Sequence, residues 1–149
     1  MIVCCFRVRF FPSLFSLSKL LLSLMASNAI IQYTSSSSSL PTHIYDVFVS
    51  FRGEDTRNNF TGFLFHALRT KAIHVFKDDQ DLKKGESIAP ELLQAIRASR
   101  LFIVVFSQNH ASSTWCLREL TEICNCYETS PRHVIIPIFY DVDPSMVRK

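Results

Sequence analysis

The sequence predicts an α/β domain, a parallel β-sheet with helices on both faces. Three observations point there. From residue 44 onward, short apolar runs alternate with amphipathic stretches. The last two runs, 101–106 and 134–140, are nearly continuous β-branched and aromatic residues, as in strands covered on both sides. The chain has 149 residues, 48% of them apolar, which is enough to bury one core and too much for a disordered chain.

Residues 44–50 read as the first strand. Phe60, Leu64, Ala67 and Leu68 then fall on one helical face. Residues 72–76 read as the second strand. Ile88, Leu92, Ala95 and Ile96 make the next helical face, with Ser87 as N-cap and Pro90 in the first turn, where its missing N–H is tolerated. Residues 101–106 read as the third strand. A third stripe runs Leu117, Leu120, Cys124 and Tyr127, capped by Ser112 or Ser113, and 134–140 is the fourth strand.

This alternation calls for right-handed crossovers and, in so short a chain, the flavodoxin-like, doubly wound strand order 2-1-3-4. Ligands of such sheets bind beyond the carboxyl ends of the strands, at the switch point between strands 1 and 3. The loops there are 51–56 and 107–113. Topology alone therefore brings Arg52, Gly53, Ser113, Trp115 and Glu119 to one crevice.

Composition narrows the partners. The formal net charge is +3, and no acidic residue precedes Asp46, whereas Arg7, Arg9 and Lys19 do. The folded part is thus close to neutral and carries no electrostatic footprint for nucleic acid. Cys124 and Cys126 are two apart, with no second Cys/His pair to complete four zinc ligands. No metal site is expected. The cysteines read as reduced thiols, Cys116 and Cys124 lying near an apolar stripe as small hydrophobes.

Residues 1–43 read as a leader and linker outside the domain. The segment 1–25 is basic and rich in Phe and Leu, but Arg7, Arg9, Pro12 and Lys19 leave no run long enough to span a bilayer. Three readings stay open: a signal peptide cut near Met25-Ala-Ser-Asn-Ala29, an acid-free transit peptide, or a true start at Met25. The run of serines at 35–39 is a solvated linker in every case.

The crevice lacks the parts of two common switches and enzymes. The third strand ends Val-Phe-Ser107, without the phosphate-accepting aspartate of a receiver domain. The chain has three glycines and neither GxGxxG nor GxxxxGK[ST]. Glu119 stands one helical turn from Trp115, with Arg118 and Glu122 beside it. By themselves these residues read blandly: such a glutamate usually solubilises a helix, and such a tryptophan usually anchors a core or groove.

Three blocks change that balance: Tyr45-Asp-Val-Phe-Val-Ser-Phe-Arg-Gly-Glu-Asp-Thr-Arg57, Ser113-Thr-Trp-Cys-Leu-Arg-Glu-Leu120 and Pro137-Ile-Phe-Tyr-Asp-Val-Asp-Pro-Ser145. In this order they resemble the Toll/interleukin-receptor (TIR) domain in its plant immune-receptor form, over residues 44–149. The resemblance implies cleavage of NAD+ at the nicotinamide–ribose bond, with NAD+ as substrate and no cofactor. The family glutamate falls at Glu119. The resemblance further implies that Trp115 stacks on a ring, that Ser113 fixes the ribose, and that Arg52 and Gly53 line the nucleotide side. One carboxylate suffices chemically, because nicotinamide leaves a cationic substrate as a neutral molecule and needs no general acid, unlike the two-carboxylate plan of ordinary glycosidases.

The resemblance also assigns Asp78-Asp-Gln-Asp-Leu-Lys-Lys-Gly-Glu86 to a gating loop, with Asp78, Asp79, Lys83, Lys84 and Gly85 as its chemistry-bearing members; by charge alone it is an ordinary solvated loop. Other TIR domains are the implied partners, in a cytoplasmic or nuclear setting, with neither membrane nor nucleic acid. The alternative is a non-catalytic interaction module or decoy that joins complete TIR receptors.

Three departures from the family pattern bear on these expectations. Phe63 stands where many members carry a histidine of a self-association helix, and either weakens that contact or makes it more hydrophobic. Ala72 and Lys84 replace a common Gly and Arg, as tolerable changes. The family continues past Lys149 into a fifth strand and a last helix, so the fold is expected as an incomplete TIR domain with its fourth strand at an edge.

Overall fold

The computed structural model of the chain describes residues 44–76, 90–130 and 133–147. It contains β1 (Tyr45–Phe51), α1 (Gly53–Thr56), α2 (Phe60–Thr70), β2 (Val75–Phe76), α3 (Pro90–Arg97), β3 (Ser99–Phe106), α4 (Thr114–Thr129), β4 (Val134–Phe139) and α5 (Pro144–Val147), with a 3-10 turn at His110–Ser112 before α4. The strands pair in parallel in the order β2-β1-β3-β4, as the alternation of elements requires. The register places Ser50 of β1 beside Val104 of β3, and Ile136 of β4 beside Ile103.

Both sheet faces are covered, which is why the central strands lack polar alternation. On one face Phe48, Phe102, Val104 and Phe106 pack with Leu92, Ala95 and Ile96 of α3 and with Leu120, Ile123 and Cys126 of α4. Arg97 and Glu122 tie these two helices together at 2.6 Å. On the other face β1 and β3 present Val47, Val49, Leu101, Ile103 and Val105, all buried. The α2 side chains Leu64, Phe65 and Leu68 are also buried, with Phe65 edge-on to Phe51 at 5.8 Å.

Two sequence expectations are corrected. The second strand is Val75–Phe76 and does not begin at residue 72. Ala72 instead ends α2 with φ 56°, in the left-handed region. Its N–H donates to Arg69 O at 2.8 Å, and the Ile73 N–H donates to Leu68 O at 3.1 Å. Those two bonds form a Schellman cap, closed by the buried pair Leu68 and Ile73. An alanine thus occupies the position where helices favour glycine.

The buried face of α4 is also turned from the expected one. Cys116, Leu120, Ile123 and Cys126 are buried, whereas Leu117 is exposed and Cys124 and Tyr127 are half-buried. The helix has rotated by most of one residue's step, which brings Glu119 toward the sheet. Of the two candidate caps, Ser113 is the one used: its Oγ accepts from the Cys116 N–H at 3.3 Å. At the far end Ser130 is extended, with φ −142° and ψ 113°, as expected of a residue before Pro131.

Among the described residues no helix is long and apolar enough to cross a membrane, and no group of three or more His, Cys, Asp or Glu is placed to hold a metal ion. Ser87, Ile88 and the expected gating residues Asp78, Asp79, Lys83, Lys84 and Gly85 lie outside the described residues.

Candidate active site

β1 and β3 are neighbours whose crossovers run to opposite faces, so the loops leaving their carboxyl ends diverge and open a crevice. A set of charged hydrogen bonds joins those two loops. Arg52 Nη1 donates to Asn109 O at 3.0 Å, while Nη2 pairs with Glu54. Arg52 Nε lies 3.4 Å from Asp55 Oδ1, an ion-pair distance without the alignment of a hydrogen bond.

Asp55 is the hub of the set. Its Oδ2 accepts from Ser107 Oγ at 2.5 Å and from the Asn109 N–H at 3.1 Å, and its Oδ1 accepts from Asn109 Nδ2 at 3.4 Å. Partial burial alone would raise its pKa. The bonds from Ser107 and Asn109 and the Arg52 charge outweigh that and hold the carboxyl below the usual carboxylate range.

The loop after β3 then turns through the 3-10 residues His110–Ser112 into Ser113, the α4 N-cap. From α4 the Glu119 carboxylate reaches back to the central strand, where Oε2 accepts from Ser50 Oγ at 2.6 Å. Ser50 is fully buried, one residue before the carboxyl end of β1, and Glu119 is half-buried. Trp115, one turn earlier on α4, is half-buried against the sheet–α3–α4 core.

Two other titratable groups line this region and stay neutral near pH 7. Burial pushes the Cys116 thiol up to about 11, against the opposing hydrogen bond with Ser113, so it is no thiolate nucleophile. Burial likewise brings His110 down to about 4, with Asp55 pulling the other way. The His110 ring is 2% exposed, stands edge-on to Phe106 at 5.1 Å, and has no hydrogen-bond partner at Nε2 among the described residues.

The sequence-nominated residues therefore divide. Arg52, Gly53 and Ser113 belong to the two loops that the Asp55 hub joins, and Glu119 is tied to the end of β1. Gly53 has no steric need to be glycine beyond the flexible Arg57 side chain, whose Nε and Nη2 atoms lie 3.0 Å from where a Cβ would stand. Phe63 projects from α2 with 69% of its surface exposed, away from the hydrophobic contacts of Leu64 and Phe65.

The structure adds Ser50, Asp55, Ser107, Asn109 and His110, none of which the sequence nominated. Ser50 had one available signal. It is the only hydroxyl within the apolar run Val47–Phe51 of a strand covered on both faces.

Comparison with known proteins places this geometry in a family. The TIR domain family matches residues 44–149. The chain is 55% identical over 128 residues to disease resistance protein RPV1 of Vitis rotundifolia, covering 84% of this chain and 9% of that protein. It is 54% identical to TMV resistance protein N of Nicotiana glutinosa, covering 76% of this chain and 10% of that one. The chain thus spans about a tenth of the curated relatives it matches.

Among solved structures, the TIR domains of the activated Roq1 resistosome, which directly recognizes the pathogen effector XopQ, align with a TM-score of 0.65 at 59% identity. That alignment covers 70% of this chain and 62% of that one. The TIR domain of the Toll-related receptor TRR-2 of Hydra magnipapillata aligns with a TM-score of 0.53 at 26% identity, covering 69% and 78%. With its four parallel strands in the order 2-1-3-4 and these relatives, the chain belongs to the TIR domain family, in the form that plant disease-resistance proteins carry.

Proposed function

We propose that this TIR domain acts in plant immune signalling by hydrolysing NAD+ at the nicotinamide–ribose bond when it self-associates, with Glu119 as the catalytic carboxylate. The observation that carries the proposal is the position of Glu119, held by Ser50 at the carboxyl end of the central strand, where sheets of this topology bind nucleotides. In the reaction the glycosidic C–N bond breaks and its electron pair leaves with neutral nicotinamide. The ribosyl carbon becomes an oxocarbenium ion, and water adds to it and releases a proton. Glu119 stabilises the developing cation and accepts a hydrogen bond from a ribose hydroxyl. Trp115 offers a ring face, and Ser113 and Gly53 border the site from the two loops.

Arg52 is already bonded to Asn109 and Glu54, so its role is to brace the loops rather than to grip a phosphate. Partners are other TIR domains, in a cytoplasmic or nuclear setting. One observation favours the alternative of a non-catalytic interaction module: the large apolar side chain of Phe63 on α2 is 69% exposed.

The test is nicotinamide release from NAD+ by the full chain over a range of protein concentrations, beside Glu119→Ala. Cleavage that rises more than linearly with protein and disappears in the variant supports the proposal. A folded wild-type chain with no cleavage at any concentration, or a fully active variant, overturns it and leaves the interaction module.

A further inference from the structure

We propose that Ser50 is a positioning residue for Glu119: its buried hydroxyl, on a central strand of the sheet, fixes the carboxylate in its working orientation. The inference rests on the role proposed for Glu119. β1 lies between β2 and β3: β2 pairs with its Val47 and Phe48, and β3 pairs with it through to Phe51, placing Ser50 in register with Val104 near the carboxyl end. Neighbouring positions are Val47, Phe48 and Val49, all buried and apolar. A hydroxyl in that setting is unfavourable unless it is hydrogen-bonded, and an apolar side chain would serve the core better. The partner that offsets its burial is Glu119 Oε2 at 2.6 Å.

That distance falls in the range of about 2.5–2.7 Å found for a hydroxyl donating to a carboxylate. An ionised carboxylate can only accept, so the hydroxyl proton is directed at Glu119. Glutamate has three rotatable side-chain bonds, so several orientations are open to it from α4. The bond from Ser50 selects among them, so the carboxylate is oriented before substrate arrives, which is the condition for catalytic electrostatics to act without reorganisation.

The test compares wild-type chain with Ser50→Ala and Ser50→Thr in steady-state NAD+ cleavage, with thermal melts to show that each is folded. Loss of orientation is expected to lower kcat by roughly tenfold or more in Ser50→Ala while KM stays within about twofold. Ser50→Thr retains the hydroxyl and is expected to recover most of the loss. A Ser50→Ala kcat within twofold of wild type overturns the inference, as does a folded Ser50→Thr no better than Ser50→Ala. Should Ser50→Ala fail to fold, Ser50→Cys takes its place, with size kept and the donor weakened.

The activity-independent readout is a crystal structure of the same variant. A Glu119 carboxylate displaced or split over conformers supports positioning, and one unmoved refutes it. A wild-type chain without cleavage sinks the proposed reaction, and the crystal structure still decides the positioning.

Discussion

Burial of His110 makes the stability of this domain fall with acidification in a window where carboxylates do not yet titrate. The ring lies in the fold against Phe106, and desolvation brings its pKa from 6.5 to about 4. Because the folded value is depressed, the unfolded chain binds the proton first as the pH drops. The stability that the neutral ring permits is complete above about pH 6.5, declines below it, and is lost near pH 4. The gap between the two values corresponds to about 3 kcal/mol in full, of which about 2 kcal/mol is lost between roughly pH 7.5 and pH 5.

Asp55 and Asp143 do not confuse the window. Both are held below the ordinary carboxylate value of 3.8, so their contribution is present above it and is lost only at lower pH. Urea unfolding followed by circular dichroism at about pH 7.5 and pH 5 measures the effect, and with a slope near 2 kcal/mol/M the midpoint should fall by about 1 M. His110→Leu removes the titrating ring and should lose most of this dependence. A wild-type midpoint unchanged across the window, or an equal fall in His110→Leu, refutes the reasoning.

Two further substitutions test the fold around the site. Ala72→Gly relieves the left-handed strain at the α2 cap, about 1–2 kcal/mol, against about 0.4–1 kcal/mol of added freedom in the unfolded chain; the net is a stabilisation of about 0.5–1 kcal/mol, read as a rise of a few degrees in Tm. Asp55→Ala removes the acceptor shared by Ser107 and Asn109 and leaves a half-buried Arg52 with one carboxylate fewer; a loss of about 2–3 kcal/mol in urea unfolding is expected, and a change below about 0.5 kcal/mol would show that the loops hold without it.

The sheet was legible because a parallel strand covered on both faces must be apolar throughout, as residues 101–106 are; residues 134–140 read the same way, although only Ile136 and Pro137 of β4 are buried. The second strand was misjudged at its start because an alanine gives no warning of a positive φ; only its bonds to Arg69 and the Ile73–Leu68 contact reveal the cap. The α4 face is not legible in the sequence because Leu117 is apolar yet exposed, while Cys116 and Cys126 are buried as small hydrophobes. Glu119, Arg52 and Ser113 could be placed from topology, since strand order fixes which loops meet. Ser50 could not be paired with Glu119 from sequence, because a strand-to-helix contact 69 positions apart depends on the rotation of α4.

Asp55 links the stability of the domain to the geometry of the crevice. It lies at the end of the β1 loop, yet its strongest bonds are to Ser107 and Asn109 in the loop that leads into α4. The start of α4 is set by that loop, through His110 and the Ser113 cap, and Glu119 hangs from the same helix. Ser50 fixes the carboxylate from the sheet side, and Asp55 fixes the helix that carries it from the loop side. Loosening either should leave the substrate contact proposed for Trp115 largely in place while blurring the carboxylate. The signature expected of Asp55→Ala is therefore a fall in kcat beyond what its folded fraction explains, with KM little changed. Loss of activity in strict proportion to unfolding would mean that the clasp only holds the domain together.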